Sequence, residues 1–108
     1  MDNAHARGGG LLDTTWTAHP EFIEQYLTLS RQLLLSKAFV QGDEFCAYCR
    51  AHGLELPPGV SHNVWVGLPR VLWKKYAWIE PRGKVEPQQM HNHMPTVTLW
   101  RSLIFRVH

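Results

Sequence analysis

The sequence predicts an α+β domain in which three helices are joined to a small antiparallel β-hairpin. Three segments repeat apolar residues with the period of a helix, whereas two later segments are rich in strand-favouring residues. A length of 108 residues is enough for one modest hydrophobic core. We therefore expect residues 1–18, which include three consecutive glycines, to be a flexible tail, and residues 19–108 to form one folded domain.

The first helix is predicted to begin at Pro20, because the fixed φ of proline suits the first helical position. From Phe22 onward, apolar residues recur at helical spacing until Ser36 or Lys37. The short apolar segment 38–41 then favours β structure, and we expect it to be an isolated strand.

The second helix is predicted from Asp43 to about His52. It opens with two acidic residues and stops before Gly53, a residue suited to a left-handed cap. The Pro-Pro-Gly run at 57–59 cannot be helical, and Ser61 then predicts the N-cap of a third helix.

The third helix is predicted over residues 61–76. One stripe of this helix is apolar and belongs in the core, namely Val64, Trp65, Leu68, Val71 and Leu72. A second stripe is polar or small and carries two positive charges, namely Asn63, Gly67, Arg70 and Lys74. Because Pro69 removes one backbone hydrogen bond, we expect a kink or an early break near Trp65.

Two strands are predicted after the helices, over residues 78–83 and 96–105. The polar segment 84–95 separates them, and apolar residues occupy both faces of the second strand. A hairpin with a long polar tip is a wing. The order of helix, short strand, two helices and winged hairpin is that of a winged helix-turn-helix domain, in which the third helix usually enters the major groove of DNA.

Three runs of the chain, GDEFCAYCRAHGLELPPG, NVWVGLPRVLWKKYAWIEPRGKV and MPTVTLWRS, resemble small winged helix-turn-helix proteins carried by bacteriophages and prophages. The matching residues are Gly42, Asp43, Glu44, Ala51, Gly53, Pro57, Trp78, Ile79, Pro81, Gly83, His91 or His93, Trp100, Arg101 and Ser102. The resemblance covers about residues 38–103. Ala77 stands where the pattern usually has glycine, and Pro69 interrupts the third helix. Such proteins are generally assumed to bind DNA, so the resemblance implies a winged helix and, less directly, a DNA-binding role.

Charge is divided unevenly along the chain. Residues 1–60 hold four Lys or Arg and seven acidic residues, a net charge of −3, whereas residues 61–108 hold seven against two, a net charge of +5. The positive half contains the third helix and the hairpin. This imbalance is typical of a nucleic-acid footprint, although Lys and Arg that merely solvate a surface would give the same count.

The residue types in this half suit double-stranded DNA. Arginine reads guanine, asparagine reads adenine, and lysine more often meets phosphate. The candidate DNA-binding residues are His62, Asn63, Gly67, Arg70, Lys74 and Lys75 on the third helix and its margins, and Arg82, Lys84, Gln88, His91 and His93 along the wing. The predicted role is that of a phage or prophage regulator or replication accessory factor.

An adaptor role is the alternative, in which an apolar surface that includes Trp73 and Trp78 binds a host or phage protein. The expected partners are thus double-stranded DNA and, besides it, a second copy of the chain or such a protein. No run approaches the roughly 18 apolar residues of a membrane span, and we expect the protein in the cytoplasm, that of the host cell if it is phage encoded.

Cys46, Cys49 and His52 stand at spacings that place them on one side of a helix, and zinc binding would need a fourth ligand from the wing. Buried helix cysteines explain the pair more simply. We find no set of residues typical of catalysis and no phosphate-binding loop, and we expect no cofactor, no metal and no enzymatic activity.

Overall fold

The computed structural model describes residues 18–86 and 96–106. This part of the chain forms three helices of at least ten residues and three strands. In chain order they are α1 (Pro20–Ser36), β1 (Phe39–Gln41), α2 (Gly42–Ala51), α3 (Val64–Lys74), β2 (Ile79–Val85) and β3 (Val97–Ser102). The fold is therefore α+β, as predicted. None of the helices in these ranges has the length and apolar character needed to cross a membrane.

The helix α1 has the predicted bounds. Pro20 occupies its first turn, where the missing N–H has no intrahelical partner to lose, and Glu21 lies near the positive end of the helix dipole. Phe22 and Tyr26 are buried on its inner side and contact the ring of Trp65, with centroid distances of 5.8 and 6.3 Å. This contact fixes α1 against α3.

The helix α2 begins at Gly42, one residue before the predicted start. The backbone N–H of Gln41 donates to Glu44 Oε1 at 2.8 Å, which closes a capping box at this end. At the other end Gly53 has a φ of +88°, and the N–H of Leu54 donates to the carbonyl of Cys49 at 3.0 Å. These are the features of a Schellman cap, so the predicted glycine stop is confirmed.

The helix α3 differs from its prediction at both ends, because it spans Val64–Lys74 and Ser61 is not its N-cap. The N–H groups of Val64, Trp65 and Val66 donate to carbonyls three residues earlier, so residues 61–63 form a tight turn before the helix. The early break predicted near Trp65 is also wrong, because Val64–Lys74 is one continuous helix that contains Pro69. The ring of Pro69 is buried, and the helix continues for five residues beyond it.

The helix α3 is followed by a residue in an unusual conformation. Ala77 has a φ of 55°, and it is the one non-glycine residue with a positive φ in the described part of the chain. Glycine adopts this region without the steric cost that a Cβ imposes. Trp78 follows directly, and its N–H donates to the carbonyl of Leu72 at 3.0 Å, which turns the chain back toward the sheet.

The strands form one antiparallel sheet in the order β1-β3-β2. Phe39 pairs with Arg101 and Val40 with Trp100, so β1 is not the isolated strand that its sequence predicted. The strand β2 extends to Val85, two residues beyond its predicted end, and β3 is shorter than predicted.

The sheet is joined to α1 by the end of β3. Ser102 is buried, and its Oγ donates to the carbonyl of Leu34 at 2.7 Å. The N–H of Ser102 donates to the carbonyl of Ala38 at 2.8 Å, and the N–H of Arg106 donates to the carbonyl of Leu35 at 3.2 Å. The helices and the sheet thus enclose one core, whose fully buried side chains include Leu34, Val40, Phe45, Val64, Leu68, Leu72 and Ile79.

Candidate nucleic-acid interface

The polar stripe predicted on α3 lies on the exposed side of the helix. Asn63, Arg70 and Lys74 are exposed, and Gly67 is partly exposed. The opposite side of the helix carries the buried apolar residues, because successive residues are rotated by about 100°. The stripe is therefore available to a partner along the full length of α3.

Two lysines at the end of α3 lie over aromatic rings. Lys74 Nζ is 3.9 Å from the ring centroid of Trp73, and Lys75 Nζ is 5.7 Å from that of Tyr76. A cation over a ring face is attracted by the ring quadrupole. These contacts limit the positions of the two ammonium groups, although both residues remain exposed.

A groove of about 850 Å³ lies between α2, α3 and the β2-β3 hairpin. We call it the α3 groove. Five of its lining residues carry polar or charged groups that suit a nucleic acid, namely Arg50, His62, Asn63, Arg70 and Lys84. Four of the eleven predicted site residues thus line one groove, while Gly67 and Lys74 face outward beside it.

Three cations from three different elements line the α3 groove, which are Arg50 of α2, Arg70 of α3 and Lys84 of β2. Lys84 Nζ donates to Thr98 Oγ1 at 2.9 Å, so β3 holds this ammonium in place. Lys84 lies in a strand and not in the loop to which its sequence assigned it. Within the described ranges Arg70 has no ion-pair partner, which leaves its guanidinium available for an anionic ligand.

Arg50 and Val66 line this groove but were not among the predicted site residues. Arg50 lies in the last turn of α2, where the helix dipole favours a basic side chain whether or not it binds a ligand. Its residue type at this position therefore gave no signal that it lines the groove beside α3. Val66 stands at i+3 from Asn63 and i−4 from Arg70, so helical spacing was a signal for it, but its apolar side chain did not fit a polar stripe.

The floor of the α3 groove is apolar. Trp65, Pro69, Val97 and Trp100 line it, and the rings of Trp73 and Trp100 lie 5.6 Å apart behind it. Pro69 therefore lies between the core and the groove. Any ligand that fills the groove would meet apolar surface at its base, the three cations, and the acidic side chain of Asp43, which also lines the groove.

Two further cations of the positive half, Arg82 and Arg101, are paired with an acid. Arg82 Nη1 lies 3.7 Å and Arg101 Nη1 3.3 Å from Glu80 Oε2, on the sheet. Neither arginine lines the α3 groove. Arg82 was a predicted wing contact, and the structure places it beside Glu80 at the base of the hairpin.

The other predicted wing residues, Gln88, His91 and His93, lie outside the described residues. Their contact with DNA stays a prediction.

The two cysteines of α2 differ in burial. Cys49 is fully buried, and burial raises the pKa of its thiol to about 12. Cys46 lines the α3 groove and is half-buried; burial raises its pKa as well, although Arg50 opposes the shift. His52 is exposed and its Nδ1 lies 2.8 Å from the carbonyl oxygen of Tyr48. In residues 18–86 and 96–106, no three His, Cys, Asp or Glu side chains are grouped so that they could hold a metal ion.

Comparison of the chain with protein-family models, with curated proteins and with solved structures finds no match.

Proposed function

We propose that this chain is a winged helix-turn-helix protein that binds double-stranded DNA, with α3 in the major groove and the β2-β3 hairpin beside it. The order of helices and strands and the sheet order β1-β3-β2 support the fold assignment. In such a domain, α2 and α3 are the helix-turn-helix pair, and the hairpin is the wing.

The observation that carries the proposal is the set of cations around α3 together with the side-chain amide of Asn63. Asn63, which precedes the first residue of α3, and Arg70, two turns further on, are exposed on the same side, and Arg50 and Lys84 line the same groove from α2 and β2. Arginine and asparagine side chains hydrogen-bond to base edges, whereas lysine and arginine beside them neutralise phosphates. One helix that carries both kinds of group, flanked by positive charge, has the chemistry of a major-groove reader.

The biological role follows from the resemblance described above. The protein would act as a phage or prophage regulator or replication accessory factor in the host cytoplasm. A footprint with only a few phosphate contacts gives weak binding by a single copy, so a homodimer or a larger complex would supply useful affinity.

Titration of a fluorescent duplex at two salt concentrations tests this proposal. The affinity should fall at least tenfold between about 50 mM and 200 mM salt, because each neutralised phosphate releases counterions. Binding that does not respond to salt, or no binding at about 50 mM salt, would overturn it.

A second candidate function is an adaptor that binds a protein in the α3 groove. The apolar floor formed by Trp65, Pro69, Val97 and Trp100 favours it, because an acidic segment with apolar anchors would match both floor and rim. The same titration discriminates between the two functions, since an adaptor of this kind has no need to bind a duplex at low salt.

A further inference from the structure

Val66 is the most exposed large hydrophobic residue in the described part of the chain. Its side chain is 53% exposed, compared with 47% for Phe39 and Leu103. The core does not need it, because the buried residues of α3 lie on other sides of the helix. Val66 must therefore either be a neutral surface residue or contact a ligand.

The neighbours of Val66 indicate which ligand it would meet. It lies on α3 between Asn63 and Arg70, and all three residues line the α3 groove. Asn63 lies directly before α3 and Arg70 follows seven positions later, which at about 1.5 Å per residue is about 10.5 Å, or roughly three base-pair steps of DNA. Each of the three side chains thus lies within reach of a different base pair if α3 occupies the major groove.

The chemistry of these three side chains corresponds to three different bases. Asparagine pairs with adenine, arginine pairs with guanine, and an apolar side chain contacts the C5 methyl of thymine. Valine suits the last role because its χ1 is restricted in a helix, so its two methyl groups are held in fixed positions.

We propose that Val66 contacts the methyl group of a thymine and makes the protein select thymine at that position, within a site of about four base pairs that also contains the adenine and guanine contacted by Asn63 and Arg70. This inference rests on the proposed DNA-binding function. It adds a specificity-determining residue to a surface whose other groups are polar.

The experiment begins with selection of preferred duplexes by the full chain from a random-sequence pool. In the enriched duplex each thymine is then replaced by uracil, one at a time, which removes only the methyl group. Wild-type protein should lose affinity about threefold to fourfold at one position, the loss expected for one buried methyl. With Val66→Ala the difference between the uracil and thymine duplexes should shrink at that position, because only the Cβ remains to contact the thymine methyl.

Two further variants control the result. Val71→Ala removes the same two methyl groups from a half-buried position of α3 and should keep the uracil effect. Val66→Thr retains one methyl group and should show an intermediate effect, which gives a second reading if Val66→Ala does not fold.

The outcomes separate this inference from the proposed function. Duplex binding without any enriched sequence, without a uracil effect, or with a uracil effect that Val66→Ala preserves overturns the role of Val66 and leaves DNA binding intact. Absence of duplex binding by the wild-type protein overturns both.

Discussion

The two sides of α3 have opposite environments. On the inner side, Val64, Leu68 and Leu72 are completely buried. On the outer side, Asn63 and Arg70 are exposed and line a groove that contains three cations and one acidic residue. In this helix of 11 residues, the inner side therefore contributes to stability, and the outer side is available for binding. Changes on one side should leave the property of the other side unaffected.

Leu72→Ala should give the largest effect on stability. Removal of a fully buried leucine side chain leaves a cavity and costs about 2–5 kcal/mol of unfolding free energy. Arg70→Ala on the outer side should change it by no more than about 0.5 kcal/mol. Urea denaturation of both variants measures the difference. Equal destabilisation would show that the outer side also supports the fold.

The cysteines of α2 extend the comparison to a second helix, because Cys49 faces the core and Cys46 faces the α3 groove. The pKa of Cys49 is raised by burial from 9.0 to about 12, so the folded state holds a proton that the unfolded state releases. Stability contributed by this protonated thiol is complete below pH 9.0 and is lost as the pH rises toward about 12.

We expect the difference in unfolding free energy between the wild type and Cys49→Ala to narrow as the pH rises from 9.0 to about 12, by up to about 1.4 kcal/mol per pH unit. Denaturation curves at several alkaline pH values measure it. A difference that stays constant with pH would mean that the thiol ionises normally in the folded state.

Ala77→Gly should change stability less than Leu72→Ala does, and it should stabilise the fold instead of destabilising it. The φ of 55° at this residue strains a side chain with a Cβ, and glycine relieves the strain although it adds entropy to the unfolded chain. The net gain in unfolding free energy should be about 0.5–1 kcal/mol. Gly53→Ala is the matched reverse change. Because Gly53 has a φ of +88°, alanine at this position should destabilise the fold.

Calorimetry or urea denaturation of Ala77→Gly and Gly53→Ala measures both changes in unfolding free energy. Duplex affinity should be the same in both variants as in the wild type, because neither residue lies in the α3 groove. A loss of affinity in Ala77→Gly would indicate that this turn positions the binding surface.

Local patterns in the sequence predicted the helices well. Proline at the start of α1 and glycine after α2 act through their own backbone preferences, and both ends agree with prediction. The start of α3 was wrong because Ser61 has the residue type of an N-cap but precedes a tight turn. The early break near Trp65 was wrong because the loss of one backbone hydrogen bond at Pro69 does not end a helix in which the proline ring is buried.

Features that join distant residues could not be predicted from local patterns. The pairing of Val40 with Trp100 connects positions 60 residues apart, and no periodicity in either segment indicates it. The α3 groove likewise needs Arg50, Arg70 and Lys84 from three elements in one place. Sequence spacing identified the stripe on α3 and was also a signal for Val66, but only the tertiary arrangement brings Arg50 of α2 to the same groove.

Duplex binding by two matched double variants tests the central claim most directly. Arg70→Ala with Lys74→Ala removes two charges from the outer side of α3, whereas Arg31→Ala with Arg101→Ala removes two exposed charges that do not line the α3 groove. The first pair should abolish duplex retardation at about 50 mM salt, and the second should bind within about twofold of the wild type. Equal losses in the two pairs, or retention of binding by the first, would contradict the assignment of DNA binding to α3.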